Sequence, residues 1–232
     1  NSSHKQHYDC YFLYMIDIVI IGHNEGEYIE KMYHSLKPYP YQRHWILDRC
    51  TDNSEQLLSS LGETYTKTDS NLKGRQTSYC RNLGLSLCNK DADVLFLDGD
   101  RYVESGNITD LENTDYDINL LYLTEDLRDG IIDITKTYGQ VYNFFFSCGI
   151  FFKRSALNKI LGFQNNELFS EDVQEHWGIE DTYLGDVCYH LNLTCNYNKE
   201  IRLHGKFEKT AAEIDTIYIR LQKRDKLNVL WN

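Results

Sequence analysis

Three short runs of apolar residues in the first half of the chain have the length of β-strands. They occupy residues 16–21, 45–47 and 94–97. Nearly unbroken apolar runs of this length are typical of strands covered on both faces, as in a parallel sheet. The pattern therefore predicts three buried strands that belong to one sheet.

Between these runs, apolar residues recur at helical spacing. Tyr28, Met32 and Leu36 follow one another at intervals of four, which predicts a helix over residues 27–36. A second helix is expected to run to about residue 61, with Ser54 as a candidate cap, and a third over residues 76–87. The alternation of strands and helices predicts an α/β half with a parallel sheet.

The second half of the chain has a more mixed pattern. Its candidate strands are residues 117–123, 131–135 and 141–146, and its candidate helices are residues 154–161, 181–190 and 214–221. Neither a repeat nor an interdomain linker interrupts the pattern. We therefore expect residues 1–14 to be an appendage and residues 15–232 to be one domain with two unequal lobes, at about 15–105 and about 106–232.

Composition limits the classes of function. The chain has 232 residues, of which 41% are hydrophobic, and 24 basic against 35 acidic residues give a formal net charge of −11. The composition is that of a globular protein, and the acidic balance argues against a nucleic-acid binder. Seven scattered cysteines without a Cys-x-x-Cys pair argue against a zinc ribbon and favour a reducing compartment. Since the sequence shows neither a signal peptide nor a membrane-spanning run, we expect a cytoplasmic location.

Polar clusters follow the three predicted strands where each strand ends. They are residues 23–25, 48–49 and 98–100. Ligands of open parallel sheets bind at the carboxyl ends of the strands, so these clusters are expected to share one site. Asp98 and Asp100 form an Asp-x-Asp pair that suits a hard cation such as Mg²⁺ or Mn²⁺. The alternative is a solvated acidic turn.

Another acidic cluster stands before a predicted helix, in the segment 176–181. Glu180 and Asp181 are adjacent there, and the helix dipole alone favours acids at such a position. A buried acid beside Trp177 is alternatively a candidate general base. His204 lies 23 residues beyond Asp181 and would suit Mn²⁺ together with carboxylates, although a lone histidine on a strand is more often structural.

Several segments, in chain order, resemble the nucleotide-sugar-dependent glycosyltransferases of the GT-A fold, close to the large family two group. Residues 18–25 resemble the family's opening strand, which ends in Asn-Glu, and residues 47–52 its Asp-rich loop. Residues 81–84 resemble its Arg-Asn-x-Gly helix. Residues 97–100 resemble its metal motif.

The resemblance continues in the second half of the chain. Residues 149–163 resemble the family's sugar-site strand and helix, and residues 177–181 the Trp-Gly-x-Glu-Asp segment shared with galactosyltransferases. The implied architecture is a mixed, mainly parallel sheet flanked by helices in a single Rossmann-like domain with nucleotide and acceptor lobes. The chain departs from the family at Leu47 and Arg49, where many members have Asp and Gly, and it lacks the Gln-x-x-Arg-Trp segment of processive synthases.

The resemblance also implies roles for individual residues in binding the donor. The nucleotide-binding residues would be His23, Asn24, Glu25, Asp48, Arg75 and Asp98, with Lys73 as a further candidate near the diphosphate. Asp98 and Asp100 would hold Mn²⁺ or Mg²⁺, and His204 would complete the protein ligands. The ion would act as a Lewis acid on the leaving diphosphate.

The same resemblance implies an inverting transfer of a sugar from a donor, UDP-linked in many relatives, to a hydroxyl of a glycan or other acceptor. Asp181 would be the general base. Glu180 would bind sugar hydroxyls, Trp177 would stack on the acceptor, and Gly149 would let the donor sugar approach the backbone.

Three alternatives stay open at this point. A retaining transferase shares the fold but needs no base on the far face of the sugar. A non-catalytic nucleotide-binding or scaffolding module shares the pocket but not the reaction. A nucleotidyltransferase normally has a glycine-rich, basic loop after the first strand, whereas this chain has the acidic segment 23–25.

Overall fold

The first strand, β1 (Ile16–Gly22), lies inside a nine-stranded mixed sheet in the computed structural model. The structure describes residues 16–69, 71–72, 74, 76–127, 130–133, 147–171 and 179–206. The remaining strands are β2 (Gln42–Leu47), β3 (Tyr65–Lys67), β4 (Asp93–Asp98), β5 (Arg101–Ser105), β6 (Ile118–Leu127), β7 (Gly130–Asp133), β8 (Gly149–Phe152) and β9 (Cys195–Lys206).

The strand order is β3-β2-β1-β4-β8-β6-β9-β5, and β7 pairs with β6. The first four strands are mutually parallel, so their carboxyl ends meet at one edge. Strand β8 runs antiparallel to β4 and β6, whereas β6 and β9 are parallel to each other. The predicted mixed α/β sheet is thereby confirmed, and its parallel part is the half that the sequence assigns to the nucleotide.

Helices cover both faces of the sheet. They are α1 (Gly26–Leu36), α2 (Ser54–Ser60), α3 (Thr77–Leu87), α4 (Arg154–Phe163), α5 (Ile179–His190) and a short 3₁₀ helix (Ile108–Asn113). Side chains alternate along β1, so Ile18 and Ile20 pack with α1 and α2 while Val19 packs with α3. The sheet thus separates two hydrophobic cores, and each of the described helices buries one face against it.

Most elements predicted from hydrophobic periodicity are confirmed by the structure. Ser54 is the first residue of α2 and not its cap, because its hydroxyl donates to Asp52 Oδ1 at 2.6 Å and the cap position is Asn53. The pattern did not single out strands β3, β5 and β9, and β8 was expected only from the family resemblance. Three predicted segments, 1–14, 141–146 and 214–221, lie outside the described residues. Within the described ranges, every helix is too short or too polar to cross a bilayer.

Candidate active site

Backbone hydrogen bonds join the carboxyl ends of β1, β2 and β4. The amide of Asp48 donates to the carbonyl of Gly22 at 2.8 Å, and the amide of Gly99 donates to the carbonyl of Ile21 at 2.6 Å. A side chain at Gly99 would begin 3.0 Å from that same carbonyl oxygen, which explains why a glycine separates the two aspartates there. The three polar clusters predicted from sequence therefore do share one edge.

The loop after β1 is held by its own side chains. The Nδ1 of His23 lies 2.5 Å from the carbonyl oxygen of Asp48, so Nδ1 carries the proton and donates it. Asn24 has a φ of 61° and its Oδ1 accepts from the amide of Thr51 at 2.7 Å. The left-handed backbone of Asn24 is thus fixed by the loop that follows β2, and these hydrogen bonds join the two loops.

Asp48 is enclosed by cationic and hydroxyl donors. Arg49 grips both of its carboxylate oxygens at 2.7 Å, and Thr68 Oγ1 donates to Oδ1 at 2.8 Å. Burial acts to raise the pKa of Asp48, but the hydrogen bonds from Arg49 and Thr68 outweigh burial, and the pKa lies below its ordinary value. Arg49 also donates to the carbonyls of Leu72 and Gly74, at 2.8 and 2.9 Å. Arg49 therefore anchors the segment after β3 beside the predicted nucleotide pocket.

Glu25 lies between the ends of β1 and β4. Its Cγ is 3.5 Å from the point where a side chain at Gly22 would begin, and 3.4 Å from the corresponding point at Gly99. The acid predicted to contact the nucleotide is thus within reach of the Asp-Gly-Asp turn.

Asp98 ends β4 and is paired with a buried arginine from α3. Arg81 Nη2 donates to Asp98 Oδ1 at 2.7 Å, and the Arg81 side chain is only 3% exposed while that of Asp98 is 31% exposed. The guanidinium also stacks on the ring of Phe169, at 5.2 Å from the centroid. One carboxylate oxygen of Asp98 is therefore fixed from below, and the residue still reaches the surface of the site.

Asp181 lies in the first turn of α5, and Ser147 Oγ donates to its Oδ1 at 2.5 Å. Burial raises the pKa of Asp181; the positive charge of Arg81 and the hydrogen bond from Ser147 oppose the rise, while the negative charge of Asp98 adds to it. Glu180 is buried beside it, and its charge also acts on Arg81. The structure thus gathers Asp98, Glu180 and Asp181 around one guanidinium.

Asp100 and His204 face different partners. Asp100 Oδ1 lies 3.3 Å from Arg101 Nε, and the Asp100 side chain is 28% exposed. The ring of His204 packs on Tyr102, and its Nδ1 lies 3.8 Å from a carboxylate oxygen of Glu104.

The donor chemistry of Asp98 and Asp100 fits a hard divalent cation, because both offer partly exposed carboxylate oxygens on one turn. His204 fits less well. In the described part of the chain, the ligand atoms of Asp98, Asp100 and His204 do not all lie within 4.8 Å of one another.

Gly149 begins β8, and a Cβ at this position would lie 2.4 Å from Leu203 Cδ1. Tight packing between β8 and β9 therefore accounts for this glycine, and its contact with a donor sugar stays a prediction. Lys73, Arg75 and Trp177 lie outside the described residues, so their predicted roles also stay predictions.

Sequence reasoning did not assign Arg81 and Ser147 to the site. A signal for Arg81 was present, because it lies three residues before Gly84 and thus on the face of α3 that packs against β1 and β2. A charged residue on the buried face of a helix requires a partner, and Asp98 is that partner. Ser147 stands in no helical or strand pattern, and no sequence signal marks it.

Solved structures from two bacteria share the fold of this chain. TarS 1–349 from S. aureus superposes with a TM-score of 0.62 at 16% identity, covering 82% of this chain and 60% of that one. Glucosyl-3-phosphoglycerate synthase from Mycobacterium tuberculosis, in complex with Mn²⁺, UDP-glucose and phosphoglyceric acid, superposes with a TM-score of 0.60 at 15% identity, covering 86% and 74%.

The chain spans 60% of the length of TarS 1–349 and 36% of a longer TarS chain. No family model and no curated protein matches the sequence. At these identities the likeness shows the fold alone, and the predicted GT-A fold is confirmed.

Proposed function

We propose that this chain is a metal-dependent, inverting glycosyltransferase that moves a sugar from a UDP-linked donor to a hydroxyl acceptor. The observation that carries the proposal is the grouping of Asp98, at the end of β4, with the half-buried acid Asp181 near Arg81. The donor-site carboxylate is paired with this cation, and the candidate base lies within its electrostatic influence. The fold likeness to a synthase complexed with Mn²⁺ and UDP-glucose supports the same assignment.

The polar edge supplies the groups that a nucleoside diphosphate needs. In this proposal His23, Asn24, Glu25 and Asp48 line the nucleoside pocket, with Arg75 near the diphosphate. Arg49 and Thr68 hold Asp48 ionised and immobile, so it offers a preorganised acceptor to a base or ribose donor. We assign this nucleotide-binding half to about residues 15–105 and the acceptor half to about residues 106–232.

Asp98 and Asp100 are the residues that would hold Mn²⁺ or Mg²⁺, with His204 as a further ligand. When bound, such an ion supplies Lewis-acid stabilisation of the negative charge on the diphosphate. Arg81 donates a hydrogen bond to Oδ1 of Asp98 and so fixes the orientation of the carboxylate. The other oxygen, Oδ2, would then be the one that binds the ion. The ion's position would thus depend on a residue that does not itself touch the donor.

Asp181 would receive the proton of the acceptor hydroxyl. As the acceptor oxygen forms its bond to the anomeric carbon, the bond from that carbon to the phosphate oxygen breaks, and the electron pair leaves with UDP.

The surroundings of Asp181 suit a general base. Burial raises the pKa of Asp181, and a carboxylate with a raised pKa is a stronger base near neutral pH. Ser147 holds Oδ1 by its hydrogen bond, so Oδ2 is the oxygen directed to the substrate. Attack from the face opposite UDP inverts the anomeric configuration. Glu180, Trp177 and Gly149 would contact the sugars.

The test incubates the protein with Mn²⁺, a panel of nucleotide sugars and a panel of hydroxyl acceptors. Transfer is measured as release of the nucleoside diphosphate. We expect Asp181→Asn to lower the transfer rate about 10²–10⁴-fold while UDP still raises the melting temperature. Asp91→Asn, on the exposed turn before β4, is the matched control and should transfer at the unaltered rate.

Two outcomes would contradict the proposal. Stabilisation by UDP without turnover of any donor would favour a non-catalytic nucleotide-binding module. A product with retained anomeric configuration, read from its NMR coupling constants, would remove Asp181 from the role of base.

A further inference from the structure

A second cluster of chemically active side chains lies at the amino-terminal edge of the sheet. Asp17, His44 and Cys88 each present one potential metal-ligand atom, and these three atoms all lie within 4.8 Å of one another. Asp17 stands four residues before Ile21, which is level with Asp98 on the neighbouring strand. The cluster is therefore about 13 Å along the sheet from the candidate active site.

The fold brings the three residues together from three elements. Asp17 lies near the start of β1 and His44 on β2, whose register pairs His44 with Val19, so Asp17 and His44 are diagonal neighbours on one face. Cys88 directly follows α3 as its cap residue, and α3 packs on the same face as Val19. Each residue thus reaches the cluster from a rigid element and not from a long loop.

Existing contacts orient these groups without using up their ligand capacity. The amide of Asn89 donates to Asp17 Oδ2 at 2.6 Å, which is the kind of outer contact that fixes a ligating carboxylate. His44 Nε2 is buried 3.4 Å from Asp17 Oδ2 and forms no hydrogen bond with any residue that the structure describes. The Cys88 thiol donates a hydrogen bond to the carbonyl of Gly84 at 3.4 Å, which its thiolate would give up on binding a metal.

The turn that carries Asn89 is also braced from outside. Arg154, at the start of α4, donates to the carbonyls of Ala92 and Asn89 at 2.6 and 2.7 Å. This guanidinium fixes the backbone next to Cys88, so the thiol is positioned before any ligand arrives.

We propose that Asp17, His44 and Cys88 form a binding site for a Zn²⁺ ion, which would join the end of α3 to β1 and β2. Carboxylate oxygen, imidazole nitrogen and thiolate sulfur are the ligand types that zinc takes. Zinc bonds of about 2.0–2.3 Å in tetrahedral geometry place ligand atoms about 3.5 Å apart. The 3.4 Å separation of Asp17 and His44 already meets that requirement.

The charges of such a site balance. On binding, the Cys88 thiol loses its proton to solvent and its sulfur bonds the ion; the thiolate and the carboxylate of Asp17 then neutralise Zn²⁺, and His44 stays uncharged. A neutral complex is the form of a metal site that is least costly to bury. Asp17 and Cys88 are only 2% and 8% exposed, so an ion bound between them would itself be buried.

The test uses Co²⁺ as a spectroscopic probe on the whole metal-free chain. We expect one equivalent of Co²⁺ to give a near-ultraviolet thiolate charge-transfer band with tetrahedral visible bands, and Zn²⁺ to displace it. Cys88→Ala should abolish the charge-transfer band, whereas the matched control Cys188→Ala, in the same buried core, should retain it. Zn²⁺ should raise the melting temperature of the wild type but not of Cys88→Ala.

His44→Gln keeps Cys88 in place and guards against a result that reflects misfolding of the cysteine variant. Circular dichroism of this variant should match the wild type, and its visible bands should be lost. A chain that gives no thiolate band with Co²⁺, or a band that survives in both Cys88→Ala and His44→Gln, would overturn the zinc site. Neither readout involves nucleotide sugars, so failure here leaves the proposed transferase activity untouched.

Discussion

Arg81 Nη2 lies 2.7 Å from Asp98 Oδ1, which places a buried cation of α3 directly beneath the carboxylate that ends β4. Asp181 and Glu180, from the start of α5, act on the same guanidinium. One positive charge thus acts on acids from two distant segments of the chain, Asp98 and the adjacent pair Glu180 and Asp181. The edge of the sheet is preorganised by this cation before any ligand binds.

Arg81→Met keeps much of the side-chain volume and removes the charge. Because it leaves acids buried without their counter-ion, we expect the free energy of unfolding to fall by about 3 kcal/mol. Urea unfolding measures the change. Arg81→Lys keeps the charge without the planar guanidinium, so its free energy of unfolding should lie between those of the wild type and Arg81→Met. An Arg81→Met variant as stable as the wild type would show that this cation does not stabilise the acids around it.

Asp181 and Asp48 should affect stability in opposite directions. The pKa of Asp181 is raised above 3.8 by burial, so between 3.8 and its folded pKa the native state binds the extra proton and stability falls as pH rises. Asp181→Asn should therefore raise the melting temperature at neutral pH, and its advantage should shrink as pH approaches 3.8.

Asp48 provides the contrasting case. Burial opposes ionisation of Asp48, but the hydrogen bonds from Arg49 and Thr68 prevail and lower its pKa. Its contribution to stability is present above 3.8 and is lost as pH falls through the folded pKa. Asp48→Asn should lower the melting temperature at neutral pH and lose that effect in acid. Melting curves of both variants across pH check the pair, and shifts of the same sign would contradict it.

Gly149→Ala tests the close approach of β8 to β9. The added methyl group would lie 2.4 Å from Leu203 Cδ1, and overpacking of this kind costs about 1–3 kcal/mol. Gly162→Ala, in α4, is the matched control, since its Cβ meets nothing within 4 Å and alanine favours the helix by up to about 1 kcal/mol. Chemical denaturation should show loss in the first variant and a small gain in the second. Equal effects would mean that Leu203 yields without cost.

Local pattern was enough to predict the parallel half of the fold. The runs at 16–21 and 94–97 are nearly all apolar, because strands β1 and β4 are buried on both faces. The polar residues directly after them, including Asp98, must then emerge at the carboxyl edge. The position of the candidate site could be predicted from the sequence, because the lengths and directions of the strands decide which polar residues lie at this edge.

Long-range contacts decided the rest. The charge of Arg81 acts on Asp181, 100 positions further along the chain, and periodicity carries no information about such a pair. The orientation of His204 depends on the pairing of β9, whose register shifts against both β5 and β6. A register shift re-aims side chains, so the contacts of His204 with Tyr102 and Glu104 could not be predicted from sequence, and its role as a metal ligand stays a prediction.

The most direct test of the central claim is a crystal structure of the chain grown with Mn²⁺ and UDP, with the ion located by anomalous diffraction. The account predicts one manganese peak bonded to Asp98 or Asp100 and to the diphosphate, with Asp181 facing the cavity beyond it. A manganese ion and UDP bound away from the end of β4, or an Asp181 carboxylate directed away from that cavity, would contradict the account.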